Sequence, residues 1–195
     1  MKASVLFSGG KDSALAAVML LRFFEVELVT CTFGAMDNWK KAQEAAQKMN
    51  MPFRLMKLDR EILGQAVEMT LKDNFPSNAI KYIHQKALEK LAQESKIIAD
   101  GVRRDDRTPV LSLGEIKSLE DKFNIHYIQP LSGYSRKTIN ILVEKLFKIK
   151  EYKSTDEIGA EYEFELRNQI KKKNIFPLEH TQTIILEIKE KSAKI

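Results

Sequence analysis

Near the start of the chain, between an apolar run and a helical pattern, stands Ser8-Gly9-Gly10-Lys11-Asp12-Ser13. Ala3, Val5, Leu6 and Phe7 read as a short buried strand. From Ala14 onward, Leu15, Val18, Leu21 and Phe24 recur at helical spacing. Asp12 and Ser13 are the expected helix N-cap, where a side-chain oxygen accepts an otherwise unpaired backbone N–H. The two glycines permit positive φ and let another group approach the backbone closely. A strand, a glycine turn, a lysine and a helix N-terminus in that order make an anion site. The open N–H groups and the helix dipole face whatever lies in the turn, and Lys11 adds a full charge.

The rest of the chain alternates in the same way. Val26–Phe33 is a near-continuous β-branched and apolar run, which is how a central parallel strand reads. A helix with Trp39, Ala42, Ala46 and Met49 on its apolar face follows Asp37-Asn38, and Pro52 is expected to stop it. Phe53–Leu58 is the third strand. A helix through Leu63, Val67 and Leu71 breaks near Asn74-Phe75-Pro76, and a second carries Ile80, Ile83, Ala87, Leu88 and Leu91 on one side. Lys96–Gly101 is the fourth strand and Ile125–Leu131 the fifth, with a helix marked by Ile116, Leu119 and Phe123 between them. Ser135 caps a helix carrying Ile139, Leu142, Val143, Leu146 and Phe147. The expectation is an α/β fold: a doubly wound, five-stranded, mostly parallel sheet with right-handed crossovers.

Residues 1–150 form that domain, and residues 151–195 are expected to be a C-terminal helix–strand extension packed on it. Glu157 to Lys173 is charge-dense, with a stripe of Ile158, Tyr162, Leu166 and Ile170 at helical period, though Phe164 alternates with its neighbours as a strand would. Thr183–Ile188 reads as a final strand added at a sheet edge.

Composition narrows the function classes. At 195 residues the chain is long enough for a core that needs no staples. Cys31 is the only cysteine, which excludes an intramolecular disulfide and any two-cysteine metal or redox motif. No apolar run approaches a membrane span, and the first strand begins so early that a signal or transit peptide has no room; the cytoplasm is the expected compartment. A net charge of +5 suits a polyanionic partner or a solvated Lys/Glu surface.

The spacing of Ser8–Ser13 differs from the G-x-x-x-x-G-K-[ST] loop of kinases and GTPases. It resembles instead the SGGxDS signature of the PP-loop ATP pyrophosphatases, the adenine nucleotide α-hydrolase superfamily. A second stretch, Gly101-Val102-Arg103-Arg104-Asp105-Asp106, is similar to the G-H-x-x-D-D segment of tRNA-modifying PP-loop enzymes, with Val102 where the family has histidine. The chain also looks like small stand-alone archaeal proteins described as predicted tRNA methyltransferase subunits with a PP-loop ATPase domain. It has no glycine-rich S-adenosylmethionine loop.

The resemblance implies ATP cleavage between the α and β phosphates, with the substrate carrying AMP in the intermediate. Ser8, Gly9, Gly10, Lys11, Asp12, Ser13 and Gly101 would hold ATP, with Phe33 against the adenine. Lys11 and Asp12 would act in catalysis, and Asp105 and Asp106 would bind Mg²⁺. Each assignment has a plainer alternative. Phe33 suits a core aromatic. The Arg103–Arg107 turn can pair its own charges with solvent around it. Cys31 lies in an apolar strand and reads as structural. His84 falls on an apolar helix face, His126 in a strand and His180 after a proline, with no ligand spacing for a transition metal. Tyr162, Arg167 and Lys171-Lys172-Lys173 would face either RNA phosphates or water.

The substrate implied is a tRNA base, with sulfur from a partner protein because a catalytic cysteine pair is absent. Two alternatives stand beside it: a ligase that adenylates a carboxylate, and a nucleotide-binding subunit that does not turn over. A homo-oligomer is compatible with either.

Overall fold

Apolar runs bounded by turn residues become the strands of one parallel sheet. The computed structural model describes residues 1–107, 110–153, 162–172 and 181–189. Thr108, Ile158, Lys173 and His180 lie outside them. The chain begins with β1 (Lys2–Leu6), α1 (Lys11–Leu20), β2 (Glu25–Thr32), α2 (Lys40–Lys48) and β3 (Phe53–Lys57). It continues through α3 (Arg60–Asp73), α4 (Ser77–Glu94), β4 (Ile97–Ala99), α5 (Leu113–Phe123), β5 (His126–Ile128) and α6 (Arg136–Leu146). Last come β6 (Phe147–Lys153), α7 (Tyr162–Lys172) and β7 (Thr181–Ile188). The sheet order is β3-β2-β1-β4-β5 and all four pairings are parallel, the doubly wound α/β arrangement expected.

Alternation along the central strands divides the core in two. Leu6, Val29 and Cys31 point into one layer with Leu63, Ile83 and Leu88 of α3 and α4, joined by Leu166 of α7. Val5 and Leu28 point into the other with Ala14, Ala17, Ala46 and Ile139 of α1, α2 and α6. Small residues on α1 set that helix close to the sheet. Its buried positions include Ala14, Ala16 and Ala17, while Leu21 is 47% exposed and lies beyond the helix, contrary to the expected apolar stripe.

Helix ends follow local chemistry, with two corrections. Gly10, not Asp12 or Ser13, is the N-cap of α1, so the helix begins at Lys11 and places Asp12 in its first turn. Asn50 turns the chain at φ 51° after α2, before Pro52 is reached. Asn74 and Asn124 end α3 and α5 in the same left-handed conformation, which asparagine tolerates better than most residues. Ser135 caps α6 as expected, accepting from the Thr138 N–H.

The C-terminal part differs most from expectation. Phe147 begins a strand rather than ending a helix, and β6 crosses residue 150. β7 pairs antiparallel with β6 in a separate two-stranded ribbon, not with an edge of the main sheet. Ile185 of β7 is fully buried against the α1 and α2 layer, and Phe147 is 2% exposed in the same layer. α7 is helical, and its Tyr162, Leu166 and Ile170 join the opposite layer. No helix among the described residues is long and apolar enough to cross a membrane.

The tightest packing lies between β4 and α1. A Cβ built on Gly101 would stand 2.7 Å from the Ser13 amide nitrogen and 2.8 Å from its Cα, backbone atoms that cannot step aside. Gly101→Ala is therefore expected to lower stability by about 1–3 kcal/mol, the usual cost of overpacking. Gly64, in the exposed middle of α3 with nothing within 4 Å of its Cβ position, is expected to gain about 1 kcal/mol as alanine. Urea denaturation of the two variants checks both signs.

Candidate active site

In open α/β sheets a crevice forms beyond the strand ends where the connections depart in opposite directions. Here β1 lies between β2 and β4, and the loops following β1 and β4 meet at that point. A cavity of about 270 Å³ opens there, lined by Ser8, Asp12, Ser13, Gly101 and Asp106 among others. Five of the ten candidate nucleotide and metal residues thus share one wall. Gly9, Gly10 and Lys11 shape the turn without lining the cavity.

The turn is held by hydroxyls. Gly9 takes φ +77°, and a Cβ there would come within 3.1 Å of the Ala42 Cα, so both conformation and space require glycine. Ser13 Oγ donates to the Gly10 carbonyl at 3.1 Å and accepts from the Ser8 N–H at 3.3 Å. Ser8 Oγ accepts from the Gly10 N–H at 3.3 Å. Thr183 Oγ1 of β7 accepts from the Lys11 N–H at 3.1 Å, so the ribbon supplies a cap that the local sequence lacks. Among the described residues, the N–H groups of Gly9, Asp12 and Ser13 have no protein acceptor. Donors of this kind at a helix N-terminus suit an anion.

Charge is concentrated around Arg103. Its guanidinium meets Asp12 Oδ2 at 2.5 Å, Asp105 Oδ1 at 3.1 Å and Asp106 Oδ1 at 3.4 Å. Lys11 Nζ pairs with Asp12 Oδ1 at 2.5 Å. Burial works against the Arg103 charge, yet the Asp106, Asp12 and Asp105 carboxylates together hold its pKa above the ordinary arginine value. Burial pushes the Asp106 pKa up, with Arg103 opposing the rise. The Asp105 pKa is lowered, chiefly by the Arg136 N–H. Both Asp105 oxygens accept from that N–H, at 3.0 and 3.1 Å, at the start of α6. Asp105 is thus committed to a helix N-terminus and stands off the cavity wall, whereas Asp106 lines it.

Two cations against three carboxylates leave this cluster net negative. An added cation would favour the entry of a polyphosphate here. Asp12 and Asp106, the two carboxylates of this cluster that line the cavity, are hard oxygen donors of the kind Mg²⁺ takes. No three His, Cys, Asp or Glu side chains converge on a metal position among the described residues, so phosphate oxygens would have to complete the shell.

The remaining wall comes from residues whose grouping was not evident in the sequence. Asp100, 2% exposed at the end of β4, accepts from the Val102 N–H at 3.0 Å through Oδ1. Its Oδ2 meets His84 Nε2 at 2.8 Å and accepts from the Tyr127 hydroxyl. His84 Nδ1 lies 2.9 Å from the Tyr162 hydroxyl. Burial, then the Asp100 charge, pushes the Tyr127 hydroxyl well above its ordinary pKa and keeps it a donor. The one available signal was His84 itself: an imidazole on an apolar helix face must find a partner.

Phe33 is fully buried in the core and its ring does not line the cavity. Its backbone N–H donates at 2.7 Å to Glu165 of α7, a carboxylate 1% exposed that also accepts from Ala35 N–H at 2.8 Å and Thr32 Oγ1 at 3.1 Å. Cys31 is 2% exposed yet lies in the cavity wall.

A parallel sheet with a hydroxyl-held glycine turn and a helix N-terminus at its switch point defines a doubly wound α/β domain. The chain belongs to the family of unknown function DUF7411, whose model matches residues 1–187. An uncharacterised protein of Methanocaldococcus jannaschii is 41% identical, over 97% of this chain and 98% of that protein. The crystal structure of a predicted subunit of tRNA methyltransferase from M. jannaschii is 40% identical with a TM-score of 0.91, covering 97% of this chain and 98% of its own. A U34-tRNA thiolase from Methanococcus maripaludis, with its [4Fe-4S] cluster, is 15% identical with a TM-score of 0.46, over 74% of this chain and 55% of that one.

Two outcomes follow from the buried and capping carboxylates. Glu165→Gln turns an amide N–H toward backbone donors and is expected to cost about 1–3 kcal/mol in urea unfolding. Because the Asp105 pKa is depressed, its contribution is full above the ordinary carboxylate value of about 4 and is lost as pH falls through the lower folded value. The Tm gap between wild type and Asp105→Ala should therefore be open at pH 7 and close in acid.

Proposed function

We propose that the chain binds ATP in the cavity between the β1 and β4 loops and cleaves it between the α and β phosphates, transferring AMP to a substrate. The observation that carries this is the strand–SGGKDS–helix turn at the switch point, with N–H groups of Gly9, Asp12 and Ser13 lacking a protein acceptor. Negative charge develops on the departing pyrophosphate, and donors fixed before the reaction stabilise it without reorganisation. The hydroxyls of Ser8, Ser13 and Thr183 can turn from the turn's N–H groups to donate to phosphate. Lys11 and Arg103 exchange carboxylate partners for phosphate oxygens as the nucleotide enters. Asp12 and Asp106 would hold Mg²⁺, which when bound supplies the charge neutralisation that the net-negative cluster lacks.

A tRNA base is the substrate we favour, with sulfur delivered by a partner protein. The relative described as a predicted subunit of tRNA methyltransferase supports RNA and a partner as the setting. A second reading rests on one observation: Lys11 is 8% exposed and already paired with Asp12, so the turn's own charge is satisfied. That favours a subunit that holds nucleotide without turnover.

Product analysis with α-labelled ATP, Mg²⁺ and unfractionated tRNA separates the two. AMP and pyrophosphate are expected, falling about 10²-fold or more in Lys11→Ala. ATP retained intact under every condition would give the site to the binding subunit.

A further inference from the structure

We propose that Asp100, His84 and Tyr162 form a proton relay in the cavity wall, with Tyr162 taking the proton that the substrate surrenders as it is adenylated. This rests on the adenylating function proposed above. Helix α4, the residue that follows β4, and the start of α7, far along the chain, place the three side chains on the wall that also holds Asp12 and Ser13.

Hydrogen bonding fixes the direction of the chain. Asp100 accepts on both oxygens, so His84 Nε2 is the donor at 2.8 Å. In a neutral imidazole Nδ1 is then the acceptor. With His84 neutral, the Tyr162 hydroxyl donates to Nδ1 across 2.9 Å. A phenol that donates inward meets any further partner as an acceptor. The other titratable groups on this wall are Asp12, Asp106 and Glu163, with Tyr127 behind Asp100.

The tRNA base favoured above supplies the proton that such a relay would carry. A carboxylate attacks phosphorus as an anion and has no proton to lose, so a base beside it would do nothing. An amide carbonyl oxygen that attacks must shed its N–H proton to end as a neutral O-phosphoryl imidate. The new bond joins the substrate oxygen to the α-phosphorus, and the bond from that phosphorus to the bridging oxygen breaks. Its electron pair leaves on pyrophosphate. The N–H proton passes to the Tyr162 oxygen as the Tyr162 proton passes to His84 Nδ1, and Asp100 faces the resulting imidazolium. Solvent then takes the proton and restores the relay. Tyr162 is the group that meets the substrate; His84 and Asp100 act through it.

Full-length wild type, Tyr162→Phe and His84→Gln are compared for pyrophosphate release, with unfractionated tRNA as the amide-bearing probe and a mixture of the twenty amino acids as the carboxylate probe. Binding of α,β-methylene-ATP is measured alongside. Tyr162→Phe is expected to lower kcat with tRNA about 10²-fold, with analogue binding changed less than twofold. His84→Gln should lower kcat with tRNA to a similar degree, again with analogue binding changed less than twofold. Nitrogen-resolved NMR should find the His84 proton on Nε2.

An unchanged kcat in Tyr162→Phe, or the proton on Nδ1, overturns the relay and leaves adenylation standing. Loss of analogue binding in Tyr162→Phe overturns it in favour of a structural tie between α4 and α7. Pyrophosphate release with amino acids but not tRNA overturns the relay, because a carboxylate has no proton for it to carry. No release from wild type with either probe overturns the relay together with the reading beneath it.

Discussion

Everything at the carboxyl end of this sheet depends on how closely the backbone at Gly101 approaches the first turn of α1. With a Cβ excluded at that point, the loop after β4 lies directly on the turn after β1. Asp100, Arg103 and Asp106 come from one of those segments, and Ser8, Asp12 and Ser13 from the other. The Asp12–Arg103 ion pair spans 91 positions of sequence and exists because one residue has no side chain. Gly101 is thus a packing requirement before it is a ligand-facing position.

The charges gathered there are poorly explained as surface decoration. Exposed ion pairs contribute little, since water and salt screen them and both side chains lose freedom. Arg103 is only 15% exposed and serves three carboxylates at once. Desolvating ions is costly, and an apolar replacement of similar volume often does as well for stability. A cluster of this kind in a cavity wall is easier to understand through what it can exchange. In the function proposed above, each ion pair is a bond that an incoming phosphate or cation would replace with one of similar strength.

Much of the architecture was legible from local pattern. β-branched runs gave the strands, helical spacing gave α3, α4 and α5, and Ser8–Ser13 gave the turn. Local pattern failed where tertiary contacts decide. Phe147 satisfies a helical period as well as a strand, and only its pairing with Ile188 in the β6–β7 ribbon settles which wins. The α1 cap was read as Asp12 or Ser13 because the oxygen that actually receives the Lys11 N–H, on Thr183, is too distant in sequence to see. Asp105 and Asp106 are adjacent and look alike, yet one binds a helix N-terminus and the other faces the cavity. The Asp100–His84–Tyr162 chain left only the trace of a histidine on an apolar face.

The hydroxyl from Thr183 that caps α1 has a bearing on how the protein is made. Lys11 and Thr183 are 172 residues apart, so their contact closes a loop nearly as long as the chain. Loop-closure entropy and the non-local character of such contacts place them late in folding. The five parallel strands all lie before residue 130 and need nothing from the ribbon for their own pairing. During synthesis the sheet can therefore assemble first, with the glycine turn before α1 still uncapped. Competence is the last property this chain acquires, and a polypeptide cut short of β7 would keep its scaffold while lacking the finished site.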